Sequence, residues 1–365
     1  MSETTTFPFY KKIAYILISV SITLALLFVG QHIFIPIFLS LLFAILLSPV
    51  VGFFNSKIKT PNVVSSTIVV ALFTVIIAII ILLVSIKIGD VAGEIKNIKS
   101  NIAIHYHSIQ VWIKNSFYIS YRQQDTYMKE VRSNTLKTEN ILNESTLTSV
   151  TDVLLNFLLV PLYTFLFLLY KNLCLQFLHG LVKNHQQQKL SDILTNIKLS
   201  VQSYLVGLIL EMLIVSTLTS IGFMIIGVEY ALLLGIITGI LNLVPYVGIL
   251  IAGLLSILAT LGGTADASII LGVVGVNLIV QFIDNNILVP MVVSSKVKIN
   301  AIASIVGIIV GASIAGLAGM FLAIPILAIL KVVFDRVESM KPLGLLLSDT
   351  IPKTQKYFLI KKRKT

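Results

Sequence analysis

Residues 231–261 read ALLLGIITGILNLVPYVGILIAGLLSILATL, a stretch without a charged side chain. A helix needs about 20 apolar residues to cross a hydrocarbon core of about 30 Å. At about 1.5 Å per residue, one continuous helix here would overrun that core. Its centre holds Asn242, Pro245, Tyr246 and Gly248. Proline removes a backbone donor there, and glycine lets the chain bend. Residues 301–330, AIASIVGIIVGASIAGLAGMFLAIPILAIL, repeat the pattern, uncharged and interrupted by Gly316, Gly319 and Pro325. Two Gly/Pro-interrupted apolar segments of this kind point to a solute path built from discontinuous helices. They read as re-entrant broken hairpins, with two long kinked helices as the alternative.

The rest of the chain agrees with a bilayer setting. Of 365 residues, 56% are hydrophobic and 12% charged, and the mean hydropathy is +0.98. Soluble domains carry about twice that charge, and disordered chains are poor in apolar residues. The fold class is therefore all-α and polytopic, with about eight hydrophobic segments and a small helical soluble insert. A short N-terminus, 1–12, precedes three spans in 13–88. Residues 89–149 form the insert, where Ile95, Ile98, Ile102, Tyr106, Ile109 and Ile113 recur at helical spacing. A fourth span, 150–170, is interrupted by Pro161. Residues 171–200 make an amphipathic surface helix, 201–330 the transport core, and 331–365 a basic tail.

Charge sets the orientation. With both termini cytoplasmic and both long segments re-entrant, nineteen of the twenty-seven Lys and Arg fall inside. The other eight are Lys87 at the end of the third span and seven in the insert, and long translocated segments largely escape the positive-inside rule. The short outside turns near Gln31, Glu229 and 262–265 carry no Lys or Arg. The net charge of +11 is thus a topology feature of a multi-pass cell (inner) membrane protein, and needs no nucleic acid to explain it.

A charged side chain at mid-membrane costs about 2.5–3.5 kcal/mol on insertion scales. Two carboxylates stand there, Glu211 and Asp284. Asn277, Gln281, Asp284 and Asn285 are spaced to share one helix face, which either lines an aqueous path or hydrogen-bonds a neighbouring helix. Glu211 either exchanges a proton or cation, or pairs silently with a buried amide. Asn242 and Tyr246 flank Pro245, where freed carbonyls meet a ligand or satisfy the broken backbone. No HExxH, phosphate-binding loop, GxSxG or paired Cys motif is present, so the reading is a transporter without enzyme activity, metal or resident cofactor. Lone Cys174 excludes an intrachain disulfide.

Three stretches carry a family resemblance: YALLLGIITGILNLVPYVG at 230–248, QFIDNNILVP at 281–290 and GLAGMFLAIPILAILK at 316–331. In this order and spacing the chain resembles the autoinducer-2 exporter family, the PerM-like permeases. The resemblance implies export of small molecules, with a furanosyl quorum signal as the name-giving substrate. It also implies sodium–proton exchange in some members, and homo-oligomers. Ile249 and Ser294 stand where the family pattern has proline and glycine, which bears on local geometry and substrate preference. The expected function is secondary export of a small solute, with H+ or Na+ as coupling ion. Its path is drawn from Asp284, Gln281, Asn285, Asn277, Glu211, Asn242, Pro245, Tyr246, Gly248, Pro290, Gly319 and Pro325. The alternatives are sodium/proton antiport and a membrane scaffold that docks a partner through the insert.

Overall fold

The computed structural model describes residues 9–93, 111, 114, 158–244, 247–263, 266–293 and 299–349. The soluble insert, and with it the scaffold reading, falls almost wholly outside these residues. Among the described residues the chain is helical, with one isolated antiparallel bridge between Ile299 and Ser348. Five helices are long and apolar enough to cross a membrane, six if one bent pair counts as a span.

Helices α1 (Phe9–Val29) and α2 (Gln31–Phe53) meet at Gly30, the break expected there. A π turn, Phe54–Ile58, leads to α3 (Asn62–Gly93). Leu17, Ile22, Leu26 and Val29 of α1 and Leu72, Ile79, Leu82 and Ile86 of α3 are exposed. Outside a membrane such a surface would be an aggregation hazard; against acyl chains it is matched. Helix α4 (Leu158–Leu169) joins α5 (Lys171–Gly180) with a bend of 65°. The bend lies at Tyr170, while Pro161, the interruption expected in this span, lies within α4.

Helix α6 (Gln187–Ile225) runs for 39 residues without interruption. The expected surface helix and the following span are therefore one rod, about 58 Å long. The apolar stripe of Leu190, Leu194, Ile197 and Val201 continues in phase through Tyr204, Leu208, Glu211 and Val215. Nothing in the sequence between them breaks the helical period, so no turn forms.

Segment 231–261 doubles back, as α7 (Ala231–Asn242) and α8 (Val247–Gly263). Ala231 and Leu234 near the start of α7 share a buried cluster with Ala259 near the end of α8, so the two helices are antiparallel. Helix α9 (Ala267–Ile283) then passes into a ten-residue π-helical segment, Asp284–Val293. Residues Ala301–Arg336 form α10, whose backbone leaves helical geometry at Ala315 and at Gly316, φ 55° and ψ −136°. That conformation is open to glycine and strained for other residues. Gly311 and Gly319 then touch backbone to backbone, and Leu327 rests on Gly307. An unbroken helix would hold Gly311 and Gly319 about 12 Å apart, so this segment too is a helical hairpin. Its turn is at 315–316, while Pro325 lies buried within the second arm and breaks nothing.

A simple basic tail is expected after this hairpin. Instead α11 (Lys341–Leu347) folds back on the hairpin base. Asn300 Nδ2 donates to the carbonyls of Leu346 at 2.6 Å and Ser348 at 3.2 Å, while its Oδ1 caps Ala303 N at 2.8 Å. On the other arm Lys331 pairs with Asp335 at 2.7 Å and reaches the Gly344 carbonyl at 3.4 Å. The clip thus holds both arms at one end. Asn300→Ala is expected to cost about 2 kcal/mol, for one cap and two hydrogen bonds. Asn300→Asp, which keeps the cap and loses the donors, should cost less; equal melting temperatures for the two variants in detergent would refute the clip.

The second hairpin packs on the first half of α6. Ile308, Leu322, Ala323 and Ile324 form one buried cluster with Val201, Tyr204, Leu205, Leu208 and Leu42 of α2. This end carries Lys183, Lys189, Lys198, Lys331, Arg336 and Lys341 and is the basic end; Glu229 and Asp266 mark the opposite, acidic end.

Candidate functional site

The site is set by how closely α6 and α7 approach. Gly235 and Gly239 are four apart on α7, and Ser216 and Ser220 four apart on α6. A Cβ at Gly235 would meet Ser216 O and Ser220 N at 2.7 Å, and one at Gly239 would meet Met212 O and Ser216. Small residues at this spacing let membrane helices touch backbone to backbone. The antiparallel register this enforces carries Asn242, three residues beyond Gly239, to the side of Glu211.

Asn242 Nδ2 donates to Glu211 Oε1 at 2.9 Å and to Asp284 Oδ2 at 3.4 Å. All three side chains are buried, at 5% exposure for Glu211, 3% for Asn242 and 2% for Asp284. One amide thus uses both its hydrogens on two acids. Among the described residues, Glu211 Oε2 and Asp284 Oδ1 are buried without a partner. Two buried carboxylates that share a single neutral donor repel each other when both are ionised. A proton or a cation at the two unpartnered oxygens would relieve that repulsion.

Of the remaining expected path residues, the structure brings some near and others not. Asn277 and Gln281 lie half-buried on α9, within two turns of Asp284. Asn285 is exposed, so the expected polar face divides. One residue after Asp284 it sits about 100° round the helix, at the point where α winding gives way to π. Pro290 is exposed within the π segment. Gly319 and Pro325 belong to the second hairpin, the former against Gly311 and the latter in its buried arm. Pro245 and Tyr246 lie outside the described residues.

Gly248 closes the first hairpin. A Cβ there would fall on the carbonyl of Leu241 and come within 3.0 Å of Asn242 N. Both are backbone atoms that no rotamer change can move aside. Gly248→Ala is therefore expected to destabilise by about 1–3 kcal/mol and to displace Asn242 from the acids. A melting temperature and transport rate equal to the parent's would exclude this.

Sequence reasoning did not single out Tyr204 or Thr219, both fully buried on α6 with hydroxyls that have no partner. Their spacing from Glu211, seven residues before and eight after, was the available clue.

The family described as AI-2E family transporter matches residues 16–339. The chain belongs to the AI-2E transporter family. Individual relatives agree. The Bacillus subtilis (strain 168) protein named "Putative transport protein YrrI" is 34% identical over 142 residues, 39% of this chain and 40% of that protein. The Escherichia coli (strain K12) "Putative permease PerM" is 27% identical over 133 residues, 36% of this chain and 38% of its own. A transport-named protein of Alkalihalophilus pseudofirmus aligns over 340 residues at 21% identity, covering 88% of this chain. The matched stretch spans about two fifths of the first of these relatives. This AI-2E family member is a polytopic membrane protein of a family of transporters and permeases.

Proposed function

We propose that this chain is a secondary transporter in which Glu211, Asn242 and Asp284 form the coupling site. The observation that carries the reading is the pair of buried acids sharing one amide, each with an unpartnered oxygen. Charge inside a bilayer is retained where it lines an ion or substrate pathway. A proton or a monovalent cation, H+ or Na+, neutralises the pair, and its arrival or departure changes how tightly Asn242 ties the first hairpin to α6 and α9. Among the described residues the first hairpin carries no other side-chain hydrogen bond to either acid, so protonation state and hairpin position are linked. Export of a small solute, of which an autoinducer-2-like furanosyl is one instance, is driven through that linkage. The basic end faces the cytoplasm of the cell membrane, in keeping with the distribution of lysine and arginine.

A second reading makes the cation itself the cargo, as in sodium/proton antiport. It is favoured by the site's composition, since two unpartnered carboxylate oxygens offer a hard monatomic cation its ligands. Proteoliposomes separate the two. Under a sodium gradient without added solute, proton movement indicates antiport; proton movement that requires an exported metabolite indicates solute export. If the reconstituted chain moves neither proton nor solute under any gradient, the coupling site is refuted.

A further inference from the structure

Glu211 Oε2 and Asp284 Oδ1 are not the only buried polar atoms without a partner in this part of the molecule. Among the described residues, Tyr204 Oη, Thr219 Oγ1 and Asn277 Nδ2 share that condition. All three sit on the helices that carry the acids. Tyr204 lies seven residues before Glu211, on the same face and about 10 Å nearer the basic end. Asn277 lies seven residues before Asp284, on the α9 face that also buries Val273 and Val280, about 10 Å nearer the acidic end. Val276 rests on Gly222 and Ile226 on Gly272, which fixes α6 and α9 antiparallel. That register sets Thr219 within about one turn of Asn277 in height. The unpartnered atoms therefore fall at three successive levels: Tyr204, then the acids, then Thr219 with Asn277.

Interhelical glue does not explain them, because glue requires the hydrogen bond these atoms lack. Leaving a buried donor or acceptor unmade is costly, and buried polar atoms of this kind are ordinarily met by ordered water. We propose that Tyr204, Thr219 and Asn277 line a file of water that carries protons to and from the carboxyl pair. Thr219 and Asn277 serve the acidic end, and Tyr204 serves the basic end. A hydroxyl can accept a proton on its lone pair as it releases its own, so Tyr204 and Thr219 pass protons on and store no charge. Asn277 Nδ2 only donates and so orients a water. Tyr204 is packed among Leu42, Leu205, Ile308 and Leu322, so the second hairpin covers the basic-end lead. The proposal rests on the coupling reading of the acid pair.

Accessibility tests the file without relying on transport. Cys174 is the chain's one cysteine, and Cys174→Ser provides the background for Thr219→Cys, Asn277→Cys, Tyr204→Cys and a dry control, Val273→Cys. Each full-length variant, in membrane vesicles of known orientation, is exposed to a membrane-impermeant charged thiosulfonate. Thr219→Cys and Asn277→Cys should label from one face and Tyr204→Cys from the other, all at least about tenfold faster than the Val273→Cys control. Labelling of all three at the control rate overturns the file. Tyr204→Phe supplies a second readout, because it deletes only the unpartnered oxygen. Proton flux should fall about tenfold or more, while the cation KM and the melting temperature are held or the latter rises. Flux within about twofold of the parent overturns the role of Tyr204. Failure of the two ideas is separable: a labelled file with Asp284→Asn fully active sinks the acid pair alone. An unlabelled file with Asp284→Asn inactive sinks the file alone.

Discussion

Asp284→Asn, at unchanged abundance, is expected to lower coupled transport in vesicles by about a hundredfold, the scale on which a positioned proton-transfer group acts. Glu211→Gln is expected to do the same. Each change leaves the shape of the side chain and removes its ability to hold and release a proton. The fold should tolerate both. The Asn242 amide keeps one carboxylate to donate to, and the new amide can itself donate to the remaining acid, so the pocket loses repulsion instead of gaining an orphan charge. Melting temperatures equal to or above the parent's would accompany the loss of transport. A silent structural pair predicts the reverse: normal transport with lowered stability. Transport at the parental rate in either variant would remove the acids from the mechanism.

Asn242→Leu should have the largest effect on stability. It removes the donor bonded at 2.9 Å to Glu211 and at 3.4 Å to Asp284, leaving two buried acids facing each other. The expected cost is about 2–5 kcal/mol, the range for orphaned buried polar and charged groups. The effect is conditional on the acids, which makes it testable beyond simple loss. Adding Glu211→Gln to Asn242→Leu restores a donor beside Asp284, so the double variant should be more stable than Asn242→Leu alone. The coupling should exceed about 1 kcal/mol in a double-mutant cycle. Additive losses would mean that the amide does not act through the acids. Transport stays lost in the double variant, which separates stability from function.

Much of this arrangement is legible in the residues. Length and lack of charge in 231–261 and 301–330, with Gly and Pro at their centres, imply hairpins, and both segments do double back. The cost of charge in a bilayer singles out Glu211 and Asp284, and these two side chains share the Asn242 amide. Local details are harder to read. Proline draws attention in the second segment, but Pro325 rides inside a helical arm and the turn falls at Gly316, whose φ of 55° needs glycine. The polar spacing groups Asn285 with Asp284, whereas the single-residue step turns it about 100° away and leaves it exposed. A polar start to α6 looks like a separate surface helix because composition changes there, yet the apolar phase does not. The clip at 341–348 has no sequence signal beyond Asn300, whose role depends on a stretch of backbone some 46 residues away.

By itself, then, the sequence determined the membrane class, the broken character of two segments and the acids that the bilayer makes expensive. These follow from local quantities: hydropathy over one span, residue-by-residue backbone freedom and the transfer cost of a single charge. Tertiary structure decided that Glu211 and Asp284 share Asn242, and it buries polar atoms of Tyr204, Thr219 and Asn277 on the same helices without a partner among the described residues. The partners of Asn242 lie 31 and 42 residues away. Their meeting is set by interhelical register, here by Gly235 and Gly239 seated on Ser216 and Ser220. Register of that kind is a property of two surfaces in contact, and no periodicity within either helix encodes it.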